Sequence, residues 1–388
     1  MSAIPFPAPP ADSDAVLALR AEVRLFLKEQ LKDRSPQRRS DSWCGADPAV
    51  SRAMGARGWQ GMTWPKEYGG HERRAYERYV VVEETLAAGA PVGHHWIADR
   101  QSGPSIIKFG TEEQKHSLLP RIAAGELSFC IGMSEPDSGS DLAATRTKAV
   151  RVSDSGGDHY RVTGTKVWTS FAHQSDWAIL FCRTQGTPAD RHNGTSQLLV
   201  DLKNTQGLTI RPIIDLAGQH HFNEMHFEDA LVPASQLLGE EGQGWAQVMS
   251  ELAFERSGPE RFLSSIELLY QLIAVLQGRE SDAAQITLGR LTARLAVLRR
   301  LSRSVTSMLQ EKQDAGLQAS IVKDVGALFE QALPDIAREL VDCEPDPLAA
   351  SAYAGVLANV VHNAPSWSLR GGTREILRGI IARGLGTR

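Results

Sequence analysis

Cysteine is scarce in this chain. Cys44, Cys130, Cys182 and Cys343 are the only four in 388 residues, and none stands at a metal-ligand spacing. That excludes a disulfide scaffold and a cysteine-built zinc site. It predicts a reduced, cytoplasmic setting in which each thiol is a small buried apolar group. Long hydrophobic runs are missing too, so no membrane-spanning helix of ~20 apolar residues is expected. Met1 to Pro10 holds four prolines rather than a basic-then-apolar leader, and reads as a loose arm. A basic excess is also absent. With 42 Lys and Arg against 46 Asp and Glu, the net charge of −4 leaves little to meet nucleic-acid phosphates. His220, His221 and His226 lie close together but off zinc spacings, and no metal is expected there. Neither an internal repeat nor a low-complexity tract is evident.

What is present is an ordinary globular composition, 42% hydrophobic and 23% charged, long enough for two or three domains. The order is α, then β, then α. Ala15, Val16, Leu19, Val23, Leu27 and Leu31 follow helical spacing over 12–33, with Asp12 or Ser13 as cap. Trp59 to Gly70 is a Pro/Gly turn region, and more helical patterns follow up to residue 127. From residue 128 the texture becomes short and β-rich, with strands expected at 150–152, 159–162, 177–183, 196–202, 208–212, 221–227 and 231–233. From Gly242 the chain is helical again, with helices at 262–276, 286–310, 320–331, 348–361 and 372–383. The expected domains are therefore 1–127, 128–237 and 238–388, an α+β protein.

Inside the β third lies Ile131-Gly132-Met133-Ser134-Glu135-Pro136-Asp137-Ser138-Gly139-Ser140-Asp141, followed by Gly164-Thr165-Lys166-Val167-Trp168-Thr169-Ser170. A Ser/Gly stretch alone is a plain turn, and a lone tryptophan is core. Together and in this order they suit a flavin ring, which needs an apolar face, hydrogen-bond donors and close backbone approach. The pair resembles the flavin signature of the acyl-CoA dehydrogenases, usually written Thr-Glu-Pro-x-Ala-Gly-Ser-Asp and Gly-x-Lys-x-Trp-Ile-Thr. Ser134 and Ser138 stand for the first threonine and the alanine, and Thr169-Ser170 for Ile-Thr. Gln114-Lys115, Leu119-Pro120, Val232-Pro233 and Leu238 to Gly242 also sit where family members carry such residues. The resemblance implies an N-terminal α-helical domain, a middle β-barrel-like domain and a C-terminal four-helix bundle. It implies FAD bound by Ile131, Met133, Ser134, Ser140, Trp168, Thr169 and Ser170, with Ser140 also touching the acyl-CoA.

Near the C-terminus, Leu369-Arg370-Gly371-Gly372-Thr373-Arg374-Glu375-Ile376 resembles the family's Tyr-Glu-Gly-Thr stretch. The Glu that serves many members as base is Gly371 here, which has no side chain to accept a proton. Gly-Gly-Thr at a helix start still offers backbone N–H groups, so Gly371 can donate to the thioester oxygen, with Gly372 at the substrate. The base must come from elsewhere. Trp245, Val248 and Leu252 form a stripe at helical spacing that Glu255 continues, and a carboxylate on an apolar face is costly unless paired or functional. Glu255-Arg256 matches the Glu-Arg pair that carries the base in the isovaleryl-CoA and long-chain branches, which implies Glu255 as base and Arg256 at the substrate. Glu260, just after Pro259, is the rival.

The family's Arg-x-x-Phe-Gly and Gln-x-x-Gly-Gly stretches reach the ADP half of FAD on a neighbouring subunit. Gly278-Arg279-Glu280-Ser281 has the arginine without Phe-Gly, and no Gln-x-x-Gly-Gly occurs between Gln331 and Val361. By resemblance Arg279, Gln285, Thr373 and Glu375 are further FAD contacts. The gaps imply a partner subunit that keeps the missing motifs, as in heteromeric dehydrogenases of steroid side chains. The family also implies a dimer or tetramer, homomeric or heteromeric, and electron-transferring flavoprotein as acceptor. Two alternatives remain: a non-catalytic or half-site subunit, and an oxygen-using flavoenzyme on the same fold.

Overall fold

The computed structural model describes residues 4–155, 157–278 and 281–387, except for the side chains of Asp154 and of residues 251–255. The chain divides into two compact units. One is Asp47–Glu72 with Gly93–Glu251; the other is Met1–Ala46, Arg73–Val92 and Leu252–Arg388.

The first unit is built on a sheet of eight strands: β1 (Phe129–Gly132), β2 (Lys148–Asp154), β3 (Gly157–Ser170), β4 (Trp177–Arg183), β5 (Thr195–Asp201), β6 (Leu208–Ile213), β7 (Phe222–Pro233) and β8 (Leu237–Leu238). Their order is β6-β7-β3-β2-β4-β5-β8, mostly antiparallel, with β1 running parallel to β4. Alternation puts Tyr160, Val162, Leu180, Leu198, Met225 and Phe227 in the core. The expected strand 159–162 is only the start of β3, which continues to Ser170. Its pairing with β7 shifts register between Val162 and Gly164 and again between Lys166 and Thr169. Such bulges bend a strand and re-aim its side chains. Likewise 221–227 and 231–233 are one strand, β7, with Asp229 between them at φ +48°.

Cys130 and Cys182 are buried in this unit, and burial pushes both thiols up to about 12. Cys44 and Cys343 correct the expectation, since both are only half-buried. Gln114 closes a capping box with Thr111 at the start of the helix Glu112–Ala123, and its amide donates to the Ser235 and Leu237 carbonyls at 2.8 and 3.1 Å. The β7–β8 connection is thereby tied to a helix.

The second unit is helical: Asp14–Gln30, Ala75–Ala87, Ile266–Leu276, Asp282–Gln310, Gly316–Leu340, Ala352–Asn363 and Arg374–Gly384. Ser13 caps the first, accepting from the Val16 N–H. The helix at 316–340 outruns its expected end because Pro334 is accommodated inside it. Ion pairs fasten three helices together: Arg20 to Glu83 and Glu84, Arg24 to Glu84 at 2.6 Å, and Arg299 to Glu83 at 2.7 Å. The expected loose arm is instead pinned. Gln318 donates to the Pro5 carbonyl and Arg303 to the Pro10 carbonyl, while Phe6 packs against the buried cluster that includes Val305, Met308 and Val322. Among the described residues no helix is long and apolar enough to cross a membrane.

Candidate active site

The two signature stretches of the sheet unit are joined through one buried ion pair. Lys166 in β3 is 0% exposed, and its ammonium meets the Glu135 carboxylate at 2.8 Å. It also donates to the Met133 carbonyl at 2.9 Å and the Thr145 hydroxyl at 3.0 Å. Glu135 in turn accepts from the Thr145 hydroxyl and from the backbone N–H groups of Arg146 and Thr147, at 2.6 to 2.8 Å. Burial alone would raise this carboxyl, but the ammonium of Lys166 and these hydrogen bonds outweigh it and hold it at about 2. The Val167 N–H donates to the Ser134 carbonyl at 2.8 Å, which lays the second stretch against the first. Arg183 adds a further clamp, donating to the Ala143, Thr145, Arg191 and Asn193 carbonyls.

At the bulge of β3 the backbone is strained where the motif lies. Trp168 and Phe171 both take positive φ, +58° and +59°, uncommon for bulky residues. The turn leaves the Trp168 indole 60% exposed, against the edge of Phe222. Asn223, fully buried, donates to the Thr169 carbonyl at 3.0 Å and receives His220 on its own oxygen at 2.7 Å. Thr169 and Ser138 are buried, and among the described residues neither hydroxyl has a hydrogen-bond partner. A buried polar group without a partner is costly, and these two hydroxyls belong to the same two signature stretches as the exposed indole, which suits a polar-edged, flat ligand. The loop is open at Gly139, where a Cβ would meet nothing within 4 Å. A flavin ring fits these residues.

Ile131, Met133, Ser134, Ser140, Trp168, Thr169 and Ser170 are thus collected on β1, the loop after it and the end of β3. Ser140 is exposed, and the neighbouring Asp141 is paired to Arg191. Of the three histidines, His220 is engaged by Asn223, His221 by Asp215 and His226 by Glu224.

In the helical unit, Gly371 and Gly372 take φ of +66° and +94°, the left-handed range that glycine tolerates. The Arg256 guanidinium, 8% exposed, donates to the Gly371 carbonyl at 3.2 Å. Thr373 caps the helix Arg374–Gly384, so that helix starts two residues later than expected. Glu375 lies exposed in its first turn, its carboxyl lowered chiefly by its own backbone N–H and the Thr373 hydroxyl. Gln285 is exposed near the start of Asp282–Gln310. Glu260, the rival base, precedes the helix Ile266–Leu276. It sits in a 3-10 turn, 2% exposed, 3.5 Å from Arg261. Glu255 ends the helix Gly244–Glu255, but its side chain lies outside the described residues, and so does Arg279 altogether.

Glu135 and Lys166 stand in the signature stretches with no role legible in the sequence, and neither Asn223, Arg183 nor Lys323 belongs to a motif. The inward register of Lys166 was the available signal for the ion pair. The others act on distant backbone carbonyls and leave no local pattern.

Three domain models cover the chain: "Acyl-CoA dehydrogenase, N-terminal domain" over 13–126, "middle domain" over 130–230 and "C-terminal domain" over 242–386. Acyl-CoA dehydrogenase FadE29 of Mycobacterium tuberculosis is 34% identical over 378 residues, 94% of each chain. Among solved structures, the Tcur3481-Tcur3483 steroid ACAD is similar at a TM-score of 0.85 and 28% identity, covering 97% of this chain and 98% of that one. The ChsE4-ChsE5 complex from Mycobacterium tuberculosis is similar at 0.82 and 30%, again over 97% and 98%.

Proposed function

This chain belongs to the acyl-CoA dehydrogenase family, flavin-dependent oxidoreductases acting on acyl-CoA, and on that premise we propose that it binds FAD and converts a saturated acyl-CoA thioester to its trans-2-enoyl-CoA. Bound FAD supplies the acceptor for the hydride that leaves the β-carbon. Glu255 takes the α-proton as general base. The Gly371 N–H, with Gly372 beside it, donates to the thioester oxygen and stabilises the charge that grows there as the proton leaves. Ser140 and Arg256 contact the acyl-CoA. The reading rests most on one observation: Glu135 and Lys166 bind the two signature stretches together while the hydroxyls of Thr169 and Ser138 stay buried without partners.

Glycine at position 371 leaves open the space that a carboxylate side chain would fill, which favours a branched or polycyclic acyl group. Similarity to a steroid-acting enzyme supports that choice. The absent Phe-Gly and Gln-x-x-Gly-Gly elements, with the likeness to a two-chain complex, support a partner subunit that completes the ADP site. Electron-transferring flavoprotein is the expected acceptor.

A panel of straight, branched and polycyclic CoA thioesters tests this reading, with the protein produced alone and with candidate partner subunits from the same family. The expected result is dye-coupled turnover of a bulky thioester, stronger with the partner than without it. A colourless protein that only raises a partner's activity would establish a half-site subunit instead. Oxygen uptake without added acceptor would establish an oxidase.

A further inference from the structure

The signature loop Arg370 to Arg374 is tethered to one helix, Gly316–Leu340, at three points. Arg370 meets Glu330 at 3.1 Å, Arg374 meets Asp324 at 2.7 Å, and Lys323 donates to the Gly372 carbonyl at 2.9 Å. Lys323 is 1% exposed. Burying an ammonium is costly, and spending one of its few donors on a loop carbonyl calls for an explanation. Glycine loses the most backbone freedom on ordering, so two in succession make a slack donor unless something holds them. Arg256 holds the Gly371 carbonyl and Lys323 the Gly372 carbonyl.

In a planar trans peptide each N–H points opposite the carbonyl that precedes it. Tethering the Gly371 carbonyl to Arg256 therefore turns the Gly372 N–H away from that cation. Tethering the Gly372 carbonyl to Lys323 fixes the following plane, which carries the Thr373 N–H, so the peptide planes on both sides of the Gly372 Cα are held and the Gly372 N–H cannot swing. Both φ values are positive, a conformation that only glycine adopts without strain, so the two residues are held in a turn no side chain could share. Among the described residues, no acceptor meets the N–H of Gly371 or of Gly372.

We propose that Lys323 is a positioning residue that, together with Arg256, sets the Gly371–Gly372 amides to receive the thioester oxygen, so that Gly372 donates alongside Gly371. This rests on the reading of the loop as the thioester site. Lys323 touches neither substrate nor cofactor in this role; it acts through the Gly372 carbonyl.

The test compares two unreactive probes on the flavin-loaded protein, with its partner if it needs one. The first is 2,2-dimethyloctanoyl-CoA, a thioester with no α-hydrogen to lose. The second is the thioether of the same skeleton, which lacks the carbonyl oxygen. Wild type is expected to favour the thioester by about tenfold, the worth of one good hydrogen bond. In Lys323→Met the ratio falls to about two- to threefold, the share left to Gly371, and in Lys323→Arg, which keeps a long cationic donor, most of it returns. A merely structural role would weaken both probes alike. Should the methionine variant not fold, Lys323→Gln fills the space with a polar chain one bond too short to reach, and its ratio must also fall. If wild type shows the preference and the Met or Gln variant keeps it, the assignment to Lys323 is wrong. If wild type shows no preference, the thioester reading of the loop falls first and takes this inference with it.

Discussion

Glu255→Gln is expected to lower turnover of a good acyl-CoA substrate by about a thousandfold while the protein keeps its flavin. The size follows from the loss of a general base, which contributes roughly 10²–10⁴ in rate. The amide keeps the shape of the side chain but cannot accept the α-proton. Gly371 cannot replace it, since the position that carries the base in many family members has no side chain here. Flavin is expected to stay because the residues proposed to bind its ring lie on β1, β3 and the loop after β1, and the substitution is in none of these elements. Glu260→Gln serves as the control. Glu260 is buried beside Arg261, and its backbone carbonyl receives Arg370, so its place is in the packing under the signature loop. That variant is expected to lose stability and to keep turnover within a few-fold of wild type. Near-normal turnover in Glu255→Gln, or its collapse in a folded Glu260→Gln, would move the base to the other carboxylate. Steady-state rates with a flavin absorbance spectrum of each variant decide it.

Lys166→Met is expected to destabilise the protein by about 3–5 kcal/mol and to release flavin, because it strands the Glu135 carboxylate in a buried site. The double variant Glu135→Gln with Lys166→Met should lose less than the sum of the single losses, since the stranded charge is then gone. The pair also sets a pH dependence. The Glu135 carboxyl is held at about 2 in the folded protein against 4.5 for a free one. Its contribution is therefore fully present above 4.5 and drains away as pH falls from there through about 2. Lys166→Met should flatten that decline. Denaturant titrations of both proteins across this range measure it, and an equally steep decline in the variant would contradict the role given to the pair.

The strand 177–183 was legible because apolar, β-prone residues run unbroken between turn signals at both ends. In β3 only 159–162 was legible as strand, because Gly164 and Lys166 interrupt the alternation of apolar residues. Both are instead the devices that let a long strand bulge at the site: Gly164 sits at φ +150° with Thr147 packed against it, and Lys166 turns inward. The partner of Lys166 is 31 residues away, beyond any local period. The N-terminal prolines read as a loose arm because they lack N–H donors. Their carbonyls remained available, and Gln318 and Arg303 use them. The flavin stretches and the Gly-Gly turn were visible as residue types, since each needs small or glycine residues at fixed places. What holds them was not, because those anchors come from other elements and reveal themselves only when the chain is folded.

The most direct test of the flavin-dehydrogenase account is an anaerobic titration of the purified yellow protein, with its partner if one is required, by the best thioester of the panel. The account predicts stoichiometric bleaching of the flavin with formation of one trans-2-enoyl-CoA per flavin reduced. Flavin that stays oxidised in the presence of every thioester, with no enoyl product, would contradict it.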